Sequence, residues 1–120
     1  MPATLKLTKS SLEDEFARQL KTASPVAALM CLCQHRFHPH RQWRFDFCWT
    51  SHQLAVEIQG GLYQSRKGPG GHNRGAQMEA DYEKLAEAAL LGWTVVQFGP
   101  KQVKSGYALN TTLKLLGATP

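Results

Sequence analysis

The chain has 120 residues, 42% of them hydrophobic, with 14 Lys and Arg against 9 Asp and Glu and a formal net charge of +5. That suits a single domain, residues 1–120, with one modest core, and three Trp and five Phe exclude disorder as the main state. No run approaches the ~18 apolar residues of a membrane span, Met1 to Ser10 lacks the apolar stretch of a secretory signal, and three cysteines suit a reducing, cytoplasmic setting better than a disulfide framework.

Ser10-Ser11-Leu12-Glu13 opens a helical pattern, with Ser10 as the expected N-cap, Glu13 completing a capping box, and Leu12, Phe16 and Leu20 on one stripe. Pro25 breaks it or starts a short helix from Val26 to Cys33. From Trp43 the period becomes two: Trp43, Phe45, Phe47 and Trp49 alternate with Arg44, Asp46 and Cys48. After a polar break at Thr50 to Gln53, Leu54, Val56 and Ile58 alternate with Ala55, Glu57 and Gln59. Two such runs predict a β-hairpin. Leu62 to Ala76 reads as a long Gly-rich basic loop, Met78 to Leu91 as a helix stopped by Gly92, Trp93 to Phe98 as a buried strand, and Tyr107 to Leu116 as a closing helix. The sum is an α/β domain, a small mixed sheet flanked by helices.

The acids are unevenly placed. None lies between Phe16 and Phe45 or between Ile58 and Met78, whereas both stretches carry Lys, Arg and His. Such basic stretches suit a polyanion partner, since each Lys or Arg set on a phosphate releases a counterion. Arg36, Arg41 and Arg44, with His35, His38 and His40 around them, are candidate DNA contacts, as are Arg66, Lys67, His72 and Arg74 in the Gly-rich loop. That loop lacks the Gly-Lys-Ser/Thr ending of a P-loop and reads as a DNA clamp. Cys31 and Cys33 are spaced poorly for zinc and sit among Leu29, Met30 and Leu32, so buried thiols are expected. The four alternating aromatics are expected in the core, with Trp49 at the turn as the exception.

A hairpin symmetric about Ser51 and His52 sets Asp46 opposite Glu57, Arg44 opposite Gln59 and Cys48 opposite Ala55, with Asp46, Glu57 and Gln59 on the face away from the aromatics. Two facing carboxylates repel and need a compensating cation, for which Mg²⁺ or Mn²⁺ is the simplest choice.

Phe45-Asp46-Phe47 followed by Val56-Glu57-Ile58-Gln59-Gly60-Gly61 resembles the active-site signature of the PD-(D/E)XK nuclease superfamily. Asp81-Tyr82-Glu83-Lys84 leading to Leu91-Gly92-Trp93-Thr94-Val95, and Glu13 with Phe16 and Leu20 three and seven residues on, look like its very-short-patch repair endonuclease branch. The likeness covers Leu12 to Phe98. It implies a restriction-endonuclease-like core, cleavage of DNA phosphodiesters, and a repair, recombination or mobile-element role. It further implies Asp46 as central metal ligand, Glu57 and the Ile58 carbonyl beside it, Glu13 reaching in from the first helix, and a histidine after the second strand, to which His72 corresponds. Gln59 stands where the superfamily has Lys. It can orient a water but carries no charge, so Lys84 is either the replacement or an exposed partner of Asp81. The alternatives are a non-cutting DNA-binding module of the same fold, an RNA-directed nuclease and a structural domain; a homodimer is left open.

Overall fold

The computed structural model describes residues 8–60 and 74–118. Leu12, Phe16 and Leu20 form one buried stripe, which makes Lys9–Ala23 an amphipathic helix, α1. Its cap is Thr8 and not Ser10: the Thr8 hydroxyl accepts the Ser11 N–H at 3.2 Å. Glu13 is thereby relieved of the expected capping role. Ser24 ends α1 and caps α2 (Pro25–Met30), its hydroxyl accepting from Ala27 N–H. Helix α2 stops at Met30, before the cysteine pair, and the chain enters a strand that the sequence pattern did not announce, β1 (Leu32–Arg36).

The hairpin forms as expected from β2 (Arg44–Trp49) and β3 (Leu54–Ile58), with Cys48 opposite Ala55. Strand β1 pairs antiparallel with β2, and β4 (Thr94–Phe98) pairs parallel with β3, giving one sheet in the order β1-β2-β3-β4. Between the parallel strands lies α3 (Arg74–Leu90), the helix such a crossover needs. It starts four residues before Met78, so Arg74 to Ala76 belong to the helix and not to the loop. Strand β4 is an edge strand, with Thr94 and Gln97 exposed, and not the fully buried one expected. After it, α4 (Pro100–Ser105) and α5 (Tyr107–Leu116) meet at Gly106, whose φ of 89° permits the corner. Arg66, Lys67 and His72 lie outside the described residues, and Arg74 is described only as the first residue of α3.

Two apolar layers cover the sheet. On one face Phe47, Trp49, Val56 and Ile58 pack against α1 and against Val103, Ala108 and Leu113 of α4 and α5. Trp49 belongs to this core: it is 2% exposed, and its indole N–H donates to the Ala27 carbonyl at 2.8 Å. The turn end is closed by α2, which is why the indole is not left open there. On the other face Phe45, Cys48 and Ala55 pack against Ala88 of α3, with Phe37, Trp93 and Val95 around them. Phe45 and Phe47, two residues apart, therefore face opposite layers, and the simple alternation of the aromatics breaks at Asp46.

The break has a local cause. Paired backbone between β2 and β3 begins at Phe47 and Val56. At Asp46 the side chain replaces the backbone: its Oδ2 accepts the Ile58 N–H at 2.8 Å. Gln59 N–H turns to the Phe98 carbonyl in β4, so Arg44 does not face Gln59; it lies opposite Arg36 in β1.

Just beyond β3, Gly60 is pressed against the start of α1. A Cβ there would lie 2.7 Å from the Lys9 Cα. Gly60→Ala is expected to cost about 1–3 kcal/mol by pushing the first turn of α1 off the sheet, read as a lower midpoint in a urea melt with an unchanged slope.

Candidate active site

Three elements end at the same edge of the molecule: β3 and β4 by their carboxyl ends, and β2 by its start. Ligand sites in open α/β sheets lie outside the carboxyl ends of parallel strands. Here the edge carries two buried acids, Asp46 at 4% exposure and Glu57 at 5%. They interlock. Asp46 Oδ2 accepts the backbone N–H of Ile58, next to Glu57, and Glu57 Oε2 accepts the backbone N–H of Asp46 at 3.2 Å. Each carboxylate is thus held by the other's strand, and neither can rotate without leaving an N–H unpaired.

The two remaining oxygens are met by ammonium groups. Lys9, the first residue of α1, places Nζ 3.2 Å from Asp46 Oδ1. Lys84 places Nζ 2.8 Å from Glu57 Oε1, and it lies half-buried over the Phe45 ring, 5.7 Å from the centroid. The reading of Lys84 as an exposed partner of Asp81 is therefore set aside: it points inward, to Glu57. A polar cavity of about 240 Å³ opens beside this pair, lined by Lys9, Glu57, Gln59, Asp81 and Lys84 among others.

Glu13 joins from α1 through one amide. Gln34 Nε2 donates to Glu13 Oε1 at 3.3 Å and to Asp46 Oδ1 at 3.2 Å. Gln34 holds a left-handed backbone, φ 52°, in the middle of β1. A glutamine pays about 1 kcal/mol for that conformation, and the reward here is an amide that ties two carboxylates. Burial, and then the nearby Asp46 charge, raise the Glu13 pKa above its ordinary value.

The expected ligand trio is thus only partly assembled. Asp46 and Glu57 interlock, while Glu13 stands one amide away from Asp46, and among the described residues no group of three or more His, Cys, Asp or Glu is arranged to hold a metal ion. The donor chemistry nonetheless fits a hard divalent cation. Two carboxylates from adjacent strands are within the one or two that Mg²⁺ takes from a protein, and the free oxygen of each is now bridged to an ammonium, a stand-in for positive charge. Gln59 is exposed on the cavity wall.

The basic residues divide differently. Arg36 and Arg44 face each other across β1 and β2, exposed and away from the cavity lining. The Arg41 guanidinium lies over Trp43, its Cζ 3.9 Å from the ring centroid, and binds Glu83 of α3. His38 binds Glu87, one helical turn further. His38 Nδ1 accepts the N–H groups of His40 and Arg41, which leaves Nε2 to donate to Glu87. Together these contacts strap α3 to the segment before β2, on either side of Lys84. The cysteines are not a site. Burial pushes the thiols of Cys31 and Cys48 up to about 12 and about 11, which removes them as thiolate nucleophiles. Cys33 is exposed on β1 and not buried as expected, because β1 is a sheet edge.

Lys9 and Gln34 carried no signal in the sequence. Lys9 precedes the expected helix start, and Gln34 reaches the acids only through its unusual backbone. Compared with family models, curated proteins and solved structures, the chain matches none.

The raised pKa of Glu13 has a signed consequence. The folded chain holds the Glu13 proton more tightly than the unfolded chain, so ionised Glu13 lowers stability at neutral pH, and that loss is recovered as pH falls through the folded pKa. Glu13→Gln keeps an acceptor for Gln34 and removes the charge. It is expected to raise stability at pH 7 by less than about 1 kcal/mol given its partial exposure, read as a higher melting temperature, with the gain vanishing at acidic pH.

Proposed function

We propose that the chain is a metal-dependent DNA endonuclease of the PD-(D/E)XK type, hydrolysing phosphodiester bonds. The observation that carries this is the interlocked Asp46 and Glu57 pair, buried at the carboxyl end of the parallel strands, with Lys84 seated on it and a polar cavity in front. A pair of acids so held is costly unless it serves a cation. Mg²⁺ or Mn²⁺ would be held by Asp46 and Glu57, with the Ile58 carbonyl beside them and Glu13 supporting Asp46 through Gln34. When bound, such an ion polarises a phosphoryl oxygen and lowers the pKa of a water.

The chain's own groups supply the rest. Lys84 brings fixed positive charge from α3 to the place where the superfamily has a strand lysine, so the neutral Gln59 is relieved of that task. Its ammonium, now on Glu57, would turn to a phosphate oxygen of the substrate. Gln59, on the cavity wall, orients a water with its carboxamide. Glu83 and Glu87, through Arg41 and His38, keep α3 and hence Lys84 in register with Glu57. Arg36 and Arg44, exposed side by side, contribute sequence-independent phosphate contacts. A second reading, a DNA-binding module of the same fold that does not cut, is favoured by Gln59 alone.

Purified chain with Mg²⁺ or Mn²⁺ is expected to cleave duplex, nicked, flapped or branched DNA in preference to RNA. Asp46→Asn and Glu57→Gln should each reduce cleavage more than ~100-fold, beyond the loss from an outer partner of a metal site. Unchanged cleavage in either variant would refute the site, whereas binding without cleavage in the parent chain would leave the second reading. Lys84→Met should abolish cleavage as fully, and adding Gln59→Lys to it should restore part of the rate if charge at this point is what the reaction needs.

A further inference from the structure

The cavity beside the carboxylate pair has walls that the hydrolytic chemistry does not use. Gln77 from the first turns of α3 and Gln97 from β4 line it together with Gln59, Lys9, Lys84, Leu85 and the carboxylates of Glu57 and Asp81. Several other glutamines are committed within the fold. Gln34 ties Glu13 to Asp46, Gln53 donates to the Leu91 carbonyl, and Gln102 accepts from the Gly99 N–H. Gln59, Gln77 and Gln97 make no side-chain hydrogen bond to another described residue, and all three are exposed. Three carboxamides from three separate stretches of the chain thus line one space.

We propose that this cavity is a subsite for one unpaired nucleobase, read at its edge by Gln77 and Gln97. The inference rests on the nucleic-acid reading above and names what lies beside the scissile phosphate. A carboxamide offers a donor and an acceptor side by side, which matches the paired groups of a base edge, adenine above all. The volume, about 240 Å³, lies below the ~300–1,000 Å³ of pockets that hold drug-sized ligands, so it takes one ring system and excludes a base pair. Lys9 and Lys84 in its lining suit the attached phosphate. A base reaches such a place only from a single strand, a flap or an extruded position. The subsite accordingly gives the chain a preference for distorted or single-stranded DNA and for the base next to the cut.

The test uses the full chain and fluorescent single-stranded oligonucleotides of dA, dC and dT, with binding measured by anisotropy in EDTA and again with Ca²⁺. The parent chain should bind dA about tenfold or more tightly than the pyrimidines. The double variant Gln77→Ala, Gln97→Ala should lose that discrimination while keeping its melting temperature and the slope of affinity against salt. Discrimination unchanged in the variant, or none in the parent, overturns the subsite and leaves the nuclease reading standing. A variant that melts normally but loses all affinity also overturns it, because phosphate contact and not base reading is then what the glutamines provide. No binding of any oligonucleotide at low salt overturns both.

Discussion

Two like charges are buried side by side on neighbouring strands, and the rest of the molecule is arranged around keeping them there. Asp46 and Glu57 each accept a backbone N–H from the other's strand, and each lends its outer oxygen to a lysine. The contact ends the backbone ladder between β2 and β3, turns Phe45 and Phe47 to opposite layers, and sends Gln59 to follow β4. A purely structural sheet would complete its ladder there with backbone bonds at lower cost. Substituting an aspartate side chain for a carbonyl makes sense where the oxygen that is left must face outward.

The helices divide the work by what they bury. Helix α1 docks with Leu12, Phe16 and Leu20, a full apolar stripe, and its first residue carries Lys9 to Asp46. Helix α3 buries little beyond Ala88 and instead is strapped by His38 to Glu87 and by Arg41 to Glu83. Polar straps hold a helix in register with less apolar burial than a packed stripe needs, and they leave Met78, Tyr82 and Leu90 exposed on its outer side. The residue between the straps is Lys84. Its position against Glu57 therefore depends on the segment before β2, which joins the basic, aromatic part of the chain to the acidic site.

Much of this was legible before folding. The three-residue stripe of α1, the two-residue alternation around Thr50 to Gln53, and the closing helix from Tyr107 to Leu116 all appear where the pattern put them. The nearness of Asp46 and Glu57 was legible too, because hairpin register follows from turn length and alternation. Strand β1 was not: it is an edge strand with Leu32 and Cys33 exposed, and Gln34 interrupts its backbone, so no alternation marks it. Trp49 was misjudged because a turn neighbour looks open until α2 is seen to cover it.

Local periodicity and composition by themselves determined the mixed α/β class, the main helices and the central hairpin, since each depends on neighbours within a few residues or on a short turn. Only the tertiary structure decided which cation meets which carboxylate, that Gln34 links Glu13 to Asp46, and that Lys84 turns inward to Glu57. Those contacts join residues 12 to 37 positions apart along the chain. The loops that close such distances leave no periodic trace in the sequence.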